Sequence, residues 1–82
     1  MSKQKENILL LGEIVSVIGG DTLLYVADCT GDSDKRIVLV DVEPFKDSLQ
    51  RLRPYYDFEV FHLGTIDEYE SLAVMEILIQ EQ

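Results

Sequence analysis

The apolar residues of this chain fall into five runs of strand length, which cover residues 8–18, 22–29, 36–42, 57–66 and 72–80. Ile and Val are common in these runs, and β-branched residues favour the pleated surface of a sheet. Turn sequences separate the runs, such as Gly19-Gly20-Asp21, whose residues accept the positive φ of a tight turn. Gly12 and Glu13 interrupt the first run, where we expect a bulge. The pattern predicts five β-strands.

The apolar period changes between the third and the fourth run. Phe45, Leu49 and Leu52 are spaced i, i+4 and i+7, which places them along one side of a short helix. Pro44 suits the first helical position, because the N–H that proline lacks has no partner there. Pro54 disfavours helical geometry at the residue before it and ends the helix. The predicted order of elements is three strands, one helix and two strands.

The predicted strands are apolar at both alternating sets of positions. In the third strand, Ile37 and Leu39 alternate with Val38, Val40 and Val42. An open antiparallel sheet normally has one polar, solvated face. A closed barrel explains part of this surplus, because its coiled strands bury residues of both sets at the corners and under the helix. A surface that binds a partner explains the rest.

Four segments resemble the strands of OB-fold domains. Residues 11–17 (LGEIVSV) are similar to the first OB strand, in which apolar residues follow a glycine by two and five positions. Residues 25–31 (YVADCTG) are similar to the end of the second strand, 60–66 (VFHLGTI) to the fourth and 71–77 (SLAVMEI) to the fifth. The resemblance is to OB-fold domains of complexes that handle single strands, namely the middle and small subunits of replication protein A and the small subunits of the telomere-capping CST complex.

This resemblance implies an all-β protein, a five-stranded antiparallel OB-type barrel with one short helix between strands 3 and 4. We expect a single OB-fold domain over residues 8–82, preceded by a flexible N-terminal tail over residues 1–7. A chain of 82 residues agrees with one domain.

The charge is strongly acidic. Sixteen Asp and Glu residues against seven Lys and Arg residues give a net charge of −9. Proteins that hold nucleic acid tightly neutralise its phosphates with clustered Lys and Arg, so this chain repels a polyanion at long range. A negative surface that only keeps a small domain soluble is the plain alternative. The charge shifts the expected ligand from nucleic acid towards protein.

Sequence features also bear on where the protein acts. No apolar run approaches the roughly 18–20 residues that a bilayer crossing needs, and residues 8–11 are too short for the apolar part of a signal peptide. The single cysteine, Cys29, builds no disulfide framework, which fits a reducing compartment. We expect an intracellular protein without membrane association, located in the nucleus if the source is a eukaryote.

Direct contact with single-stranded nucleic acid is one hypothesis for the site. OB-folds hold single strands with a basic groove and with aromatic side chains that stack on bases. Lys35 and Arg36, at the start of the third strand, are the candidate phosphate contacts. Tyr69 is the candidate stacking residue, because its loop contributes to OB ligand clefts. Nearby carboxylates such as Asp34 screen contacts of this kind.

A protein interface is the other hypothesis, and it follows from the surplus of apolar strand positions. The candidate interface residues are Val38, Val40, Leu63, Val74 and Leu78. The sequence does not decide which set of strand positions faces outward.

Catalysis and metal binding find little support among the residues. Asp28, Asp32 and Asp34 lack the ligand spacing of an EF-hand and fit a solvated turn. His62 has no second histidine or cysteine nearby in sequence to complete a zinc site. Cys29 and His62 are the one nucleophile and base available, and no catalytic motif surrounds them. We expect no enzyme activity, no metal and no cofactor.

These observations predict a small acidic OB-fold adaptor. It binds a partner subunit, itself expected to be an OB-fold protein, within a complex that handles single-stranded DNA or RNA in genome or telomere maintenance. Two alternatives stay open: direct single-strand binding, and an acidic nucleic-acid mimic that occupies the basic groove of another protein. Self-association as a homodimer also stays open.

Overall fold

A computed structural model describes residues 8–31, 33–69 and 72–82, with the backbone alone for residues 33, 67–69 and 72. The predicted tail, residues 1–7, lies outside these described residues. The elements in chain order are α1 Leu11–Val15, β1 Leu23–Asp28, a 3-10 turn Ser33–Lys35, β2 Ile37–Pro44, α2 Phe45–Leu52, a 3-10 turn Arg53–Tyr55, β3 Glu59–Tyr69 and β4 Leu72–Gln80.

The strands form one mixed sheet in the order β2-β1-β4-β3. β1 and β2 form an antiparallel hairpin, and β3 and β4 form a second one. The two hairpins meet along β1 and β4, which run parallel, with Leu23 beside Val74 and Asp28 beside Ile79. β2 and β3 are therefore the two edges of the sheet.

The predicted five-stranded antiparallel barrel is wrong. The described residues form four strands, two of which pair in parallel, and the sheet stays open because β2 and β3 do not pair with each other. The segment predicted as the first strand contains the short helix α1 instead. The other four predicted strands and the predicted helix are confirmed at nearly the same residues, and β3 continues to Tyr69, into the segment predicted as a loop.

Helix α1 forms because its apolar residues fit a helical stripe. Leu11 and Val15 are buried, and Ile14 and Ile18 pack against the same core. The spacing i, i+3, i+4 and i+7 places all four on one side of a helix. The Glu13 carboxylate accepts a hydrogen bond at 2.8 Å from the amide of the residue before the helix. This bond satisfies one of the donors that a helix start leaves free.

Gly12 brings α1 against the chain that follows α2. The Gly12 amide donates to the Tyr56 carbonyl at 2.9 Å, and the Leu11 amide donates to the Phe58 carbonyl at 3.0 Å. A Cβ on Gly12 would lie 3.3 Å from the Tyr56 Cβ, so the glycine permits this close approach. These hydrogen bonds use main-chain donors that a fifth strand would offer to the sheet.

Helix α2 begins directly after β2 and is fixed to the turn before β1. Its first two amides donate to the carbonyls of Thr22 and Gly20 at 2.8 and 2.9 Å. The sequence predicted Pro44 as the first helical residue, but α2 begins at Phe45 and Pro44 directly precedes it. The start of α2 is therefore held by main-chain hydrogen bonds from a distant turn.

Both helices pack on the same face of the sheet and form the core there. The buried residues of this core are Leu11, Val15, Leu24, Val26, Val40, Leu52, Val60, Ile77 and Ile79. Residues directly opposite each other in a ladder point to the same face, and successive residues alternate between faces. The other face, which we call the open face, carries Tyr25 and Ala27 of β1 and Glu76 and Leu78 of β4. In the described part of the chain, the helices leave this face uncovered.

Candidate protein interface

The edge strand β2 is protected against pairing with a further strand. It contains bulges at Leu39 and at Val42, and Val42 has a φ of 57°, which is rare for a β-branched residue. The Arg51 guanidinium donates a hydrogen bond to the Leu39 carbonyl at 3.1 Å. It also pairs with the Glu43 carboxylate and lowers the pKa of Glu43. Pro44, which has no N–H, ends the strand. Bulges, prolines and charged side chains are the features that keep an edge from pairing.

The edge strand β3 is free over most of its length. At its start, the Val60 amide donates to the Leu9 carbonyl at 2.7 Å, and Leu10 forms an antiparallel bridge with Glu59. Beyond this point, the outer side of residues 61–69 has no main-chain partner among the residues that the structure describes. Unpaired N–H and C=O groups along an edge are a template for another strand.

Two large apolar side chains lie on this free strand. Phe61, the bulge residue of β3, is 43% exposed, and Leu63 is 46% exposed. Leu63 pairs with Ile77, which is fully buried one strand further in. Exposed apolar side chains therefore accompany unpaired main chain over residues 61–66. We call this segment the β3 edge, and it is the candidate protein interface.

The β3 edge has two sides that differ chemically. Leu63 and Thr65 pair with core residues of β4, so they lie on the side that faces the helices. His62, Gly64 and Ile66 pair with residues of β4 on the opposite side, so they lie on the open face. The open face therefore carries the ionisable side chains near this edge, beside Ile66, whereas the helix side carries Leu63 and Thr65.

An imidazole–carboxylate pair lies on the open face behind the β3 edge. The His62 Nε2 is 3.1 Å from the Glu76 Oε1. Gly64 lies directly opposite Glu76 in the ladder, and a Cβ on Gly64 would be only 3.2 Å from the His62 Nε2. The imidazole therefore reaches Glu76 across space that another residue would fill. The imidazole lies over Gly64 and covers one oxygen of the Glu76 carboxylate, whose side chain is 24% exposed.

The structure does not bring the predicted nucleic-acid contacts together. Lys35 and Arg36 lie beside the Asp28 end of β1, whereas the backbone of Tyr69 lies beyond the other end. β1 has six residues, so these positions are separated by more than its length of roughly 15–20 Å. The Arg36 guanidinium interacts with the Tyr25 side chain, which raises the pKa of Arg36. The side chain of Tyr69 lies outside the described residues.

The predicted interface residues divide into two groups. Val38 and Leu63 are exposed, and Leu78 is partly exposed on the open face. Val40 and Val74 are fully buried and offer no surface to a partner in the folded chain. Val40 is part of the core that the helices close, and Val74 lies between two neighbouring strands, because it pairs with β1 on one side and with β3 on the other.

Three residues of the site were missed by the sequence reasoning. No interface role was predicted for Phe61, Gly64 or Glu76. The signal that was present is the glycine inside a strand, which is typical of a position where another group approaches closely. The register that places Gly64 opposite Glu76 is a long-range pairing that the local sequence does not contain.

Cys29 is placed where a nucleophile would be unreactive. Its thiol is buried and free of disulfide bonding, and burial raises its pKa, against an opposing effect of the Arg36 charge. The thiolate is the reactive form of cysteine, and this environment disfavours it. His62, the base that the sequence offered as its partner, interacts with Glu76.

We expect the Cys29 thiol to react slowly with a disulfide reagent at pH 8 in the native protein. In urea the rate should rise by roughly tenfold or more, because unfolding exposes the thiol and removes the effect of burial on its pKa. The absorbance of the released thiolate measures both rates. Equal rates in the two states would contradict the buried position of Cys29.

The carboxylates that suggested a cation site have other partners where the structure describes them. The Asp28 Oδ1 accepts a hydrogen bond from the Thr30 amide at 2.9 Å, as in a turn. Asp32 lies outside the described residues. The described residues contain no group of three or more potential metal-ligating side chains. Neither helix in the described part has the length and apolar character that a membrane crossing needs.

Comparison with known proteins identifies no relative of this chain. The sequence matches no protein-family model, and neither the curated proteins nor the solved structures give a significant match. The function is therefore inferred from the chain's own residues.

Proposed function

We propose that this protein is an interaction module that binds an extended segment of a protein partner as an additional strand on the β3 edge. The observation that carries the proposal is that the outward N–H and C=O groups of residues 61–66 have no main-chain partner in the described part of the chain, beside the exposed side chains of Phe61 and Leu63. In strand addition, main-chain hydrogen bonds supply affinity, and alternate side chains supply specificity. The protected state of β2 directs this binding to one edge of the sheet.

The proposal retains the adaptor role expected from the sequence and gives it a location. The surplus of apolar strand positions had two explanations, a closed barrel and a surface that binds a partner. Because the sheet is open, it supports the partner surface. The setting in a complex that handles single strands stays a prediction from the OB resemblance. The separation of Lys35 and Arg36 from Tyr69 disfavours one nucleic-acid cleft formed by all three.

Strand addition over six residues gives a small interface. Phe61 and Leu63 are each a little under half exposed, so covering them contributes about 1 kcal/mol apiece on the scale for burial of large apolar side chains. Each main-chain hydrogen bond contributes about 0.5–1.5 kcal/mol more, against the cost of ordering the bound segment. The balance is typical of transient binding.

The proposal is tested with three synthetic peptides of eight residues, in which Val alternates with Thr, with Lys or with Glu. We expect at least one peptide to bind the full chain and to slow hydrogen exchange of the amides in residues 61–66, as followed by NMR. Binding without protection of these amides, or binding of none of the three peptides, would overturn the proposal.

Leu63→Lys is expected to increase the dissociation constant of the bound peptide by about fivefold or more, because it removes apolar contact and places a charge on the edge. Ile37→Lys is the matched control. Ile37 is 61% exposed on β2, and the substitution changes net charge equally. It should alter the dissociation constant by less than about twofold. Equal losses in the two variants would show that β3 is not the binding edge.

A further inference from the structure

Charge is distributed unevenly along the chain. All seven Lys and Arg residues lie within residues 1–53. The remaining residues, which contain both strands of the second hairpin, have carboxylates and no Lys or Arg. These carboxylates are Asp57, Glu59, Asp67, Glu68, Glu70, Glu76 and Glu81. The β3 edge therefore belongs to an acidic segment, residues 54–82, whose field favours a cationic partner, although Arg36 of the first hairpin interacts electrostatically with Glu76.

A second copy of this chain is a poor occupant of the β3 edge. Two copies paired along this edge would bring two hairpins that contain no Lys or Arg side by side, and their carboxylates would repel each other.

The geometry of the open face specifies where a cation would be placed. A residue added opposite Gly64 would point to the open face, as Gly64 and Glu76 do. Two strand spacings of about 4.8 Å separate it from β4. The Glu76 side chain is 24% exposed, and the His62 imidazole, which lies over Gly64, contacts its Oε1 at 3.1 Å. A long cationic side chain that displaces this imidazole from the glycine can place its charge beside the carboxylate.

The opposite side of the added strand meets a different surface. The residues next to the one opposite Gly64 point towards the helix side, where Leu63 is exposed and Thr65 follows. An apolar side chain at those positions covers Leu63. An alternation of basic and apolar residues in the bound segment fits the ionisable groups of the open face and Leu63 on the helix side.

From this arrangement, and resting on the proposed function of the β3 edge, we infer that the partner segment is basic, with apolar and basic residues in alternation. A basic side chain lies opposite Gly64 and interacts with Glu76, and apolar side chains on the other side cover Leu63.

The peptides with Val–Lys, Val–Thr and Val–Glu alternation also test this inference in the full chain. At low salt, the Val–Lys peptide should bind about tenfold more tightly than the Val–Thr peptide, and the Val–Glu peptide should bind most weakly. The preference should decrease as salt screens the charges. Equal affinities with protection of residues 61–66 would overturn the inference and leave the proposed function intact. Absence of binding by all three would overturn both.

Glu76→Gln tests whether the preference for a basic peptide comes from a local ion pair with Glu76 or from the total negative charge of the hairpin. It should reduce the preference for Val–Lys over Val–Thr by about three- to fivefold, the effect of losing one partly exposed ion pair. Glu81→Gln changes net charge equally at an exposed position after β4 and should leave the preference within about twofold. Equal effects of the two substitutions would overturn the role of Glu76.

Two other occupants have recognisable outcomes in the same experiment. A dimer detected by sedimentation, with residues 61–66 protected and the peptides excluded, would show that a second copy occupies the edge. The chain's own Lys3 and Lys5 precede Leu9, which is already bonded to β3. If K3Q/K5Q in the full chain exposes residues 61–66 to exchange and increases Val–Lys affinity, the basic segment is the chain's own. Either result would overturn the inference of a separate partner.

Discussion

Leu11→Ala is expected to destabilise the fold by about 2–5 kcal/mol, the range for truncation of a buried leucine in a packed core. Leu11 is fully buried and fixes α1 to the sheet. A domain of 82 residues has a total stability of about 4–12 kcal/mol, so the variant loses a large fraction of it. Urea unfolding followed by circular dichroism measures the loss as a lower midpoint.

Leu9→Ala is the matched control for this prediction. Leu9 and Leu11 are the same residue type two positions apart, so in a β-strand they would share one face and similar burial. In the structure Leu9 is 37% exposed and precedes the helix, whereas Leu11 is inside the core. We expect Leu9→Ala to cost about 1 kcal/mol or less. Comparable losses for the two variants would support the strand and contradict α1.

Ile77→Ala is expected to have a similarly large effect, about 2–5 kcal/mol. Ile77 is fully buried at the centre of β4, beside Val26 of β1 and Leu63 of β3, on the face that both helices cover. The cavity left by truncation lies between two sheet strands and the helices, where neighbouring backbone is fixed by hydrogen bonds and relaxes little. The free energy of unfolding in urea is again the measurement.

The neighbouring substitution Leu78→Ala tests the orientation of the sheet. Leu78 lies on the open face and is only partly buried, so its truncation should cost about 1 kcal/mol. If the order of the two effects were reversed, the helices would have to cover the other face. The β3 edge would then have its apolar and polar sides exchanged.

Several elements were predictable from local sequence. The β-branched runs that became β1, β2, β3 and β4 carry their own signal. So does the predicted apolar stripe of α2, in which Phe45 and Leu52 pack on the core while Leu49 is 36% exposed. The first run was mispredicted because it fits two periods at once. Leu9 and Leu11 alternate as in a strand, while Leu11, Ile14 and Val15 follow helical spacing. The acidic Glu13 suits the first turn of a helix, where its carboxylate accepts a hydrogen bond from the Leu10 amide, but no capping residue precedes it in the sequence.

The candidate site was less predictable than the elements. Leu63 was selected because apolar strand positions were in surplus, and it is exposed. Val40 and Val74 were selected for the same reason and are buried. Composition gives the number of apolar positions, but the face that each one occupies depends on the register of pairing and on which face the helices cover.

The sequence by itself determined the acidic charge, four of the strands and the helix α2, since each of these depends on residues close together in the chain. Only the tertiary structure decided that the sheet is open, with β1 and β4 paired in parallel at its centre and β3 free at an edge. Strand pairing joins residues that are far apart in sequence, such as Leu23 and Val74. Its outcome depends on how the whole chain buries its apolar surface, which no local pattern specifies.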